Sequence, residues 1–523
     1  MKKLLALILA LIMSLSLVAC GGGGDDAESS ADGEGEVAYK DTINVAMDVD
    51  AESYNPIEYN NTTANRVAQL IYDGLIILDA TQTAQPALAE SWEINEDSTV
   101  WTFKIRQGVK FHDGSDCTAA DVKYTFDEML NPDNNSPYRS RYTSVASVET
   151  PDDYTVVFNL SDPNVPMMVY MDLPIIPEGA MDVAGFSTAP VGTGPYSVVS
   201  YELNSKTVLK ANPDYWRGAP ATENIIVHVI NDNSTRLAAV EAGDVDFVHS
   251  PLTASDLALV EGNDDLVMTK VPGLGFTYLG LNVADPITGD LAVRKAIAYM
   301  TDKESISNVI YSGMDTPAVT PILTSNWAAE GLTCYEYNKD KAIAVLEEAG
   351  WVDADGDGIR EKDGQKLAFT LATHTDDTSR FQVVEFMQNQ LKSIGMDVSV
   401  STTEWATFSA DMTDQNLTAW VAGWLNVIDP DKTYGMFHST GGNNFGAYNN
   451  ADVDAWLDLG RQSGDQEVRK DAYQKMAQFV TDDVWYINLV EQAYVCITTA
   501  KMEGYTVNPS GSVFALWQTR VAE

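Results

Sequence analysis

Positive charge is scarce in this chain of 523 residues: 32 lysines and arginines stand against 76 aspartates and glutamates, a formal net charge of −44. So acidic a surface repels polyanions, which excludes nucleic acid as a partner and favours a soluble, self-repelling body. Cysteine is nearly absent too. Cys20, Cys117, Cys334 and Cys496 show no CxxC spacing, so neither a disulfide framework nor a zinc site is implied. Neither GxSxG, HExxH nor GxxxxGK[ST] occurs, and the five histidines (His112, His228, His249, His374, His438) are scattered without ligand spacing. An enzyme needs a nucleophile with its base, a metal site or a phosphate loop. With none legible, no catalytic residues, no resident metal and no cofactor are expected.

Long apolar runs are absent except at the start, where Leu4 to Val18 follows Lys2 and Lys3. That run is too short to span a bilayer comfortably and has the layout of an export signal. It ends in Leu17–Val18–Ala19–Cys20, the small-residue-then-Cys pattern of a bacterial lipoprotein signal. Residues 1–19 are therefore expected to be removed and Cys20 to be lipidated, several acyl chains holding the protein on the outer face of a cell membrane. Residues 20–36, Gly-rich and then acidic, cannot bury enough apolar surface to fold and read as a flexible tether spanning on the order of 20–25 Å. The remaining body is too large for a single core and is expected to form two or three lobes.

Thr42 to Met47 alternates like a strand, and a helix is expected from about Thr62 to near Gly74. Trp101, Phe103 and Ile105 alternate as a half-buried strand, and Thr118 with Asp121 forms a capping box for a helix through Leu130. Val145 to Thr150 and Thr155 to Leu160 read as a hairpin. Further on, Ser234 is read as the cap of a helix, Leu266 to Val271 and Phe276 to Val283 as two strands, and Asp302 to Tyr311 as a helix. Lys366 to Thr373, Thr378 to Ile394 and Asp397 to Thr402 make a strand–helix–strand unit that implies a parallel pair. Trp485 to Val490 and Tyr494 to Thr498 are two last strands. Between them lies Trp420 to Asn450, WVAGWLNVIDPDKTYGMFHSTGGNNFGAYNN. Rings beside amide and carboxylate groups, on a loop leaving a strand, can grip an extended polar ligand. The same stretch is equally compatible with a core strand followed by an Asp-Pro turn.

Ala89 to Leu130 resembles the signature region of the extracellular solute-binding proteins of the oligopeptide, dipeptide and nickel family, the ligand-capturing components of ABC importers. Pro190 to Tyr196 (PVGTGPY) is similar to that family's Gly-Thr-Gly-Pro-Tyr turn. Val293 to Ile297 with Asp302–Lys303–Glu304 is similar to its first helix pair after a mid-chain crossover. The resemblance runs from about Thr42 to Tyr505. It implies a two-lobed α/β fold of the periplasmic-binding-protein type (class II, cluster C) with an extra inserted domain. Lobe I would be 37–57, 186–272 and 492–523, the insert 58–185 and lobe III 273–491, with hinges near Pro272 and Glu491. The implied partners are an extended solute, a membrane ABC permease and membrane lipid through Cys20, and the protein is expected to be a monomer.

Trp405, Trp420 and Trp424 are the candidate stacking faces, with Asn426 and Asp429 on the loop beyond them. By the resemblance, Tyr494 and the loop of Glu52, Ser53 and Tyr54 would lie opposite. Peptide-binding relatives place a carboxylate three residues before the Asp-Pro step to pair with the peptide α-ammonium, and Asn426 stands there in this chain. Peptide is the first expected solute. Oligosaccharide read by the tryptophans is the second, and nickel or a metal chelate, using His374 and His438, the third. A surface peptidase or sensor is the rival class. Asp353, Asp355 and Asp357 with Gly358 open like a calcium loop, but Gly364 stands where the bidentate glutamate belongs.

Overall fold

The computed structural model describes residues 37–249, 252 and 254–523. The expected signal, Cys20 and the tether lie outside these residues. Local signals place the helices. Asn61 accepts from the Ala64 amide at the head of Thr62–Ile71, and the Thr118–Asp121 box caps Ala119–Leu130. Asn338 and Asp377 cap Lys339–Glu348 and Thr378–Lys392 in the same way. Asp232, not Ser234, caps Asn233–Glu241, because its carboxylate reaches the Thr235 amide. The helix expected over 302–311 is α-helical only at Lys303–Ser305 and then widens into a π-turn, Ile306–Ile310. Three helices went unread, Ala254–Val260, Trp405–Thr413 and, inside the Trp420–Asn450 stretch, Lys432–Phe437.

A large mixed sheet organises the chain. Thr42–Met47 pairs in parallel with Asn224–Val229 and Phe247–His249, while Ala368–His374 pairs in parallel with Asp397–Thr403 and Ala419–Trp424. Between the two parallel sets run Leu266–Leu281 and Tyr486–Thr499, antiparallel to each other and long enough to belong to both. The sequence reads each of these as two strands. In the fold each is continuous, with register shifts between Pro272 and Phe276 and between Thr277 and Tyr278. Gly273 permits the close approach there, since a Cβ on it would lie 2.7 Å from the Gln492 carbonyl oxygen.

The buried cores divide at this crossover. Two clusters draw on residues 43–260 and 495–521, and two on residues 276–490. Trp101, Phe103 and Phe158, from the expected insert, share one continuous cluster with Ile43, Val45 and Ile225. The small sheet carrying them, with strands Ala89–Ile94, Val100–Ile105, Thr155–Leu160 and Val145–Asp152, is joined to the large sheet by the PVGTGPY turn. There the buried Asp73 carboxylate accepts from Thr193 Oγ1 (2.9 Å), Tyr215 Oη (2.8 Å) and Trp216 Nε1 (3.0 Å). His112 accepts from the Gly192 amide and donates to the Gly194 carbonyl, which fixes its tautomer as Nε2–H. His112 and the PVGTGPY turn, with Asp73, Tyr215 and Trp216, thus form a satisfied polar junction.

Candidate ligand-binding crevice

Strand direction locates the site. In open α/β sheets ligands bind outside the carboxyl ends of parallel strands. One set ends at Met47, Val229 and His249, the other at His374, Thr403 and Trp424. Trp424 pairs with Phe276, which pairs with Glu491, whereas His249 pairs with Cys496. Both carboxyl edges therefore face the crossover, separated by the five residue steps from Glu491 to Cys496, roughly 17 Å of strand. An extended solute of a few residues fits that span.

On the Trp424 side the walls are aromatic. Tyr486 stacks on Tyr278 at 4.1 Å, and the Trp424 ring lies parallel to Tyr278 and to Phe445, with centroids 6.4 and 6.3 Å away. The Lys432 ammonium sits 5.2 Å from the Trp424 ring. Trp424 Nε1 and Tyr486 Oη are buried with no hydrogen-bond partner. Trp405, 48% exposed, opens the helix beside His374, the two rings 5.1 Å apart. His374 Nε2 accepts from Arg380 Nη1 at 2.9 Å, and burial together with the Arg380 charge holds its pKa below the ordinary value, so the ring is neutral. Asn426 is exposed in the left-handed region (φ 54°), a conformation an asparagine tolerates.

Two expected site residues belong elsewhere. Trp420 is completely buried: its ring covers Gly280 and its Nε1 donates to Tyr278 Oη at 3.3 Å, so it offers no face to a ligand. Asp429 is committed to Arg469, whose Nη2 lies 2.8 and 2.9 Å from its two oxygens with both side chains buried. Next to it Asp431 is held side-on by Arg461 and by Tyr473 Oη. This Asp-Pro-Asp step is an anchor for the loop, and its carboxylates are already neutralised.

Across the crossover, Glu52 is exposed with φ 61°, and Ser53 Oγ accepts from the Asn55 amide and donates to Glu58. Tyr494 packs its ring 5.2 Å from His249, and its hydroxyl is buried without a partner. Arg66 and Tyr505 stand with them, which sequence reasoning missed. A lone arginine on a helix carries no local signal of what it faces, and His249 was set aside with the other scattered histidines.

Metal-binding candidates do not converge. His374 is engaged by Arg380, whereas His438 stacks on Tyr434 at 4.4 Å and accepts from the Thr440 amide. Among the described residues, Asp353, Asp355 and Glu361 are the one cluster with ligand spacing. The Lys366 ammonium contacts both Asp355 and Asp357, supplying positive charge to that loop. Cys117, Cys334 and Cys496 are unpaired thiols. Among the described residues no helix is long and apolar enough to cross a membrane.

Comparison with known proteins agrees with this geometry. The oligopeptide-binding protein AppA of Bacillus subtilis is 28% identical over 98% of this chain and 97% of its own length. Protein XP55 of Streptomyces lividans is 32% identical over 92% of this chain and 88% of its own length. The structure of B. subtilis AppA in complex with a nonapeptide superposes with a TM-score of 0.71 at 27% identity, covering 93% of this chain and all of the other. NikA of Brucella suis in complex with Fe(III)-EDTA gives 0.80 at 27% identity, covering 92% of this chain and all of NikA. The family model for the middle region of bacterial extracellular solute-binding proteins, family 5, matches residues 83–445. The chain therefore belongs to the bacterial extracellular solute-binding proteins of family 5.

Proposed function

We propose that this protein is the extracytoplasmic receptor of an ABC importer, capturing an extended solute, peptide first, and delivering it to the membrane permease. The observation that carries this is the pair of carboxyl edges facing one crossover, walled by aromatic rings of which Trp424 and Tyr486 have buried polar atoms without a partner. We assign lobe I to 37–57, 186–272 and 492–523, the insert to 58–185 and lobe III to 273–491. The two lobes close about the crossover, and the Cys20 motif is read as the site of lipid anchoring for a monomeric body. Similarity to both a nonapeptide complex and an Fe(III)-EDTA complex keeps the metal-chelate reading as the alternative. Oligosaccharide is weakened by the loss of Trp420 as a stacking face.

Native mass spectrometry after incubation with a synthetic peptide library tests the reading. Peptides should be retained one-to-one and uncleaved, and small-angle scattering should show a more compact particle at saturation. Turnover of the library, or retention without compaction, would count against it.

Asn426 bears on which end of a peptide is read. An amide cannot neutralise an α-ammonium, and Asp429 is occupied by Arg469. Acetylated peptides should bind within about tenfold of their free-amine forms, a difference of about 1.4 kcal/mol. Asn426→Asp, which keeps a residue tolerant of positive φ, should favour the free amines. Calorimetry on matched pairs decides, and a hundredfold loss on acetylation in the wild type would place another carboxylate at the amine.

A further inference from the structure

Several buried or half-buried arginines here are ion-paired. Arg469 holds Asp429, Arg461 holds Asp431, Arg294 holds Asp483 and Arg380 lies against Asp377. Arg236 is met by the carbonyls of Ile230 and Asn231 and by the side chain of Asn233. Arg66 differs. Among the described residues no carboxylate lies within ion-pair distance of its guanidinium, and its Nε is buried without an acceptor. Nη1 donates to His249 Nδ1 at 2.7 Å, while His249 Nε2 donates to the Gly511 carbonyl at 2.8 Å. His249 is thus the neutral Nε2–H tautomer, and both burial and the Arg66 charge keep it so. It positions the arginine without cancelling its charge.

Two further donors flank the guanidinium. Tyr494 Oη and Tyr505 Oη are both buried without partners, and the Arg66 charge acts on both phenols. The Tyr494 ring lies 5.2 Å from His249, and the Tyr505 ring 5.0 Å from Phe247. The chain passes close over the group at Gly511, where a Cβ would stand 2.7 Å from Arg66 Nη2. Three unfilled donors and a guanidinium with no carboxylate at ion-pair distance among the described residues are gathered at the carboxyl end of a parallel strand, on the edge facing the crossover. A carboxylate complements them, since it accepts at up to four lone pairs and pairs with a guanidinium through charge-assisted bonds.

We propose that Arg66, with the Tyr494 and Tyr505 hydroxyls, receives a carboxylate of the captured solute, so that a peptide is read by its carboxyl end. This rests on the crevice being the ligand site of a peptide receptor. It fits the other edge, where Asn426 and the neutralised Asp429 leave the amine end without a counter-charge.

The test uses one library of synthetic peptides with free carboxyl ends and the same library amidated, both applied to the full body of the protein. The wild type should retain the free acids at least tenfold over the amides, and Arg66→Gln should erase that preference. Tyr505→Phe should cut it several-fold while the melting temperature holds or rises, because the deleted hydroxyl has no partner in the unliganded protein. A merely structural tyrosine would show the reverse. Equal retention of both libraries by the wild type, or a preference that survives Arg66→Gln, overturns the proposal and leaves the peptide-receptor reading standing. Retention of neither library overturns both. Should Arg66→Gln fail to fold, Tyr505→Phe decides alone: an unchanged preference overturns the proposal, and a reduced one at unchanged melting supports it.

Discussion

Arg469→Met is expected to lower folding stability by about 3–5 kcal/mol, because it strands the Asp429 carboxylate in a site that excludes water. Both side chains of the pair are buried, and Arg469 also donates through Nε to the Gly460 carbonyl. Its guanidinium lies 5.2 Å from the Trp327 ring and 5.7 Å from that of Tyr473. One side chain therefore ties the Asp-Pro loop to helix Ala451–Gln462 and to its own helix, Gln466–Asp482. Breaking a buried pair from one side costs far more than removing both charges, so the double variant Asp429→Leu/Arg469→Met should recover most of the loss. Urea unfolding of the two variants checks this. A loss below 1 kcal/mol in Arg469→Met would mean that water reaches Asp429, and would return that carboxylate to the candidates for a ligand ammonium.

Asp315→Asn should act in the opposite direction and only above mildly acidic pH. Asp315 is buried beside the crossover, where its Oδ1 accepts from the Ala493 amide at 3.0 Å. Burial pushes its pKa from the ordinary 3.8 to about 6, and the Asp377 charge adds to the rise against the pull of the Ala493 amide and Lys270. The folded state therefore holds this proton more tightly than the unfolded chain does. Its contribution to stability is fully present below about pH 4 and is lost as pH rises through 6, costing about 3 kcal/mol at neutral pH. A neutral amide that still accepts from Ala493 escapes that cost. Asp315→Asn should be about 3 kcal/mol more stable than the wild type at pH 7.5, the gap narrowing to under about 1 kcal/mol at pH 4. A gap independent of pH would show that the carboxylate is already hydrated in the native state.

Local chemistry made much of the fold legible. A cap such as the Thr118–Asp121 box acts within four residues, and the 368–403 strand–helix–strand unit follows from a change in apolar period. The solute-binding reading came from the resemblance of the stretches 89–130, 190–196 and 293–304, and the family model bears that resemblance out. Only tertiary structure joined Leu266–Val271 to Phe276–Leu281, and Trp485–Val490 to Tyr494–Thr498, as the two long crossover strands. Proline and glycine at 272–275 break the local strand pattern, and the continuity comes from pairing with residues more than two hundred positions away. Trp420 and Trp424 share one strand and one side-chain parity, so a period of two says which way they point and nothing about depth. Packing against Gly280 and Tyr278 buried the first and left the second at the carboxyl edge. Asp429 reads like an open carboxylate until Arg469 arrives from a helix 40 residues on, and Arg66 reads like a solvent-facing arginine until His249 arrives from 183 residues away. Periodicity and capping depend on neighbours along the chain. Whether a buried charge is paired or left free for a ligand depends on neighbours in space, and the long crossover strands are what bring those together.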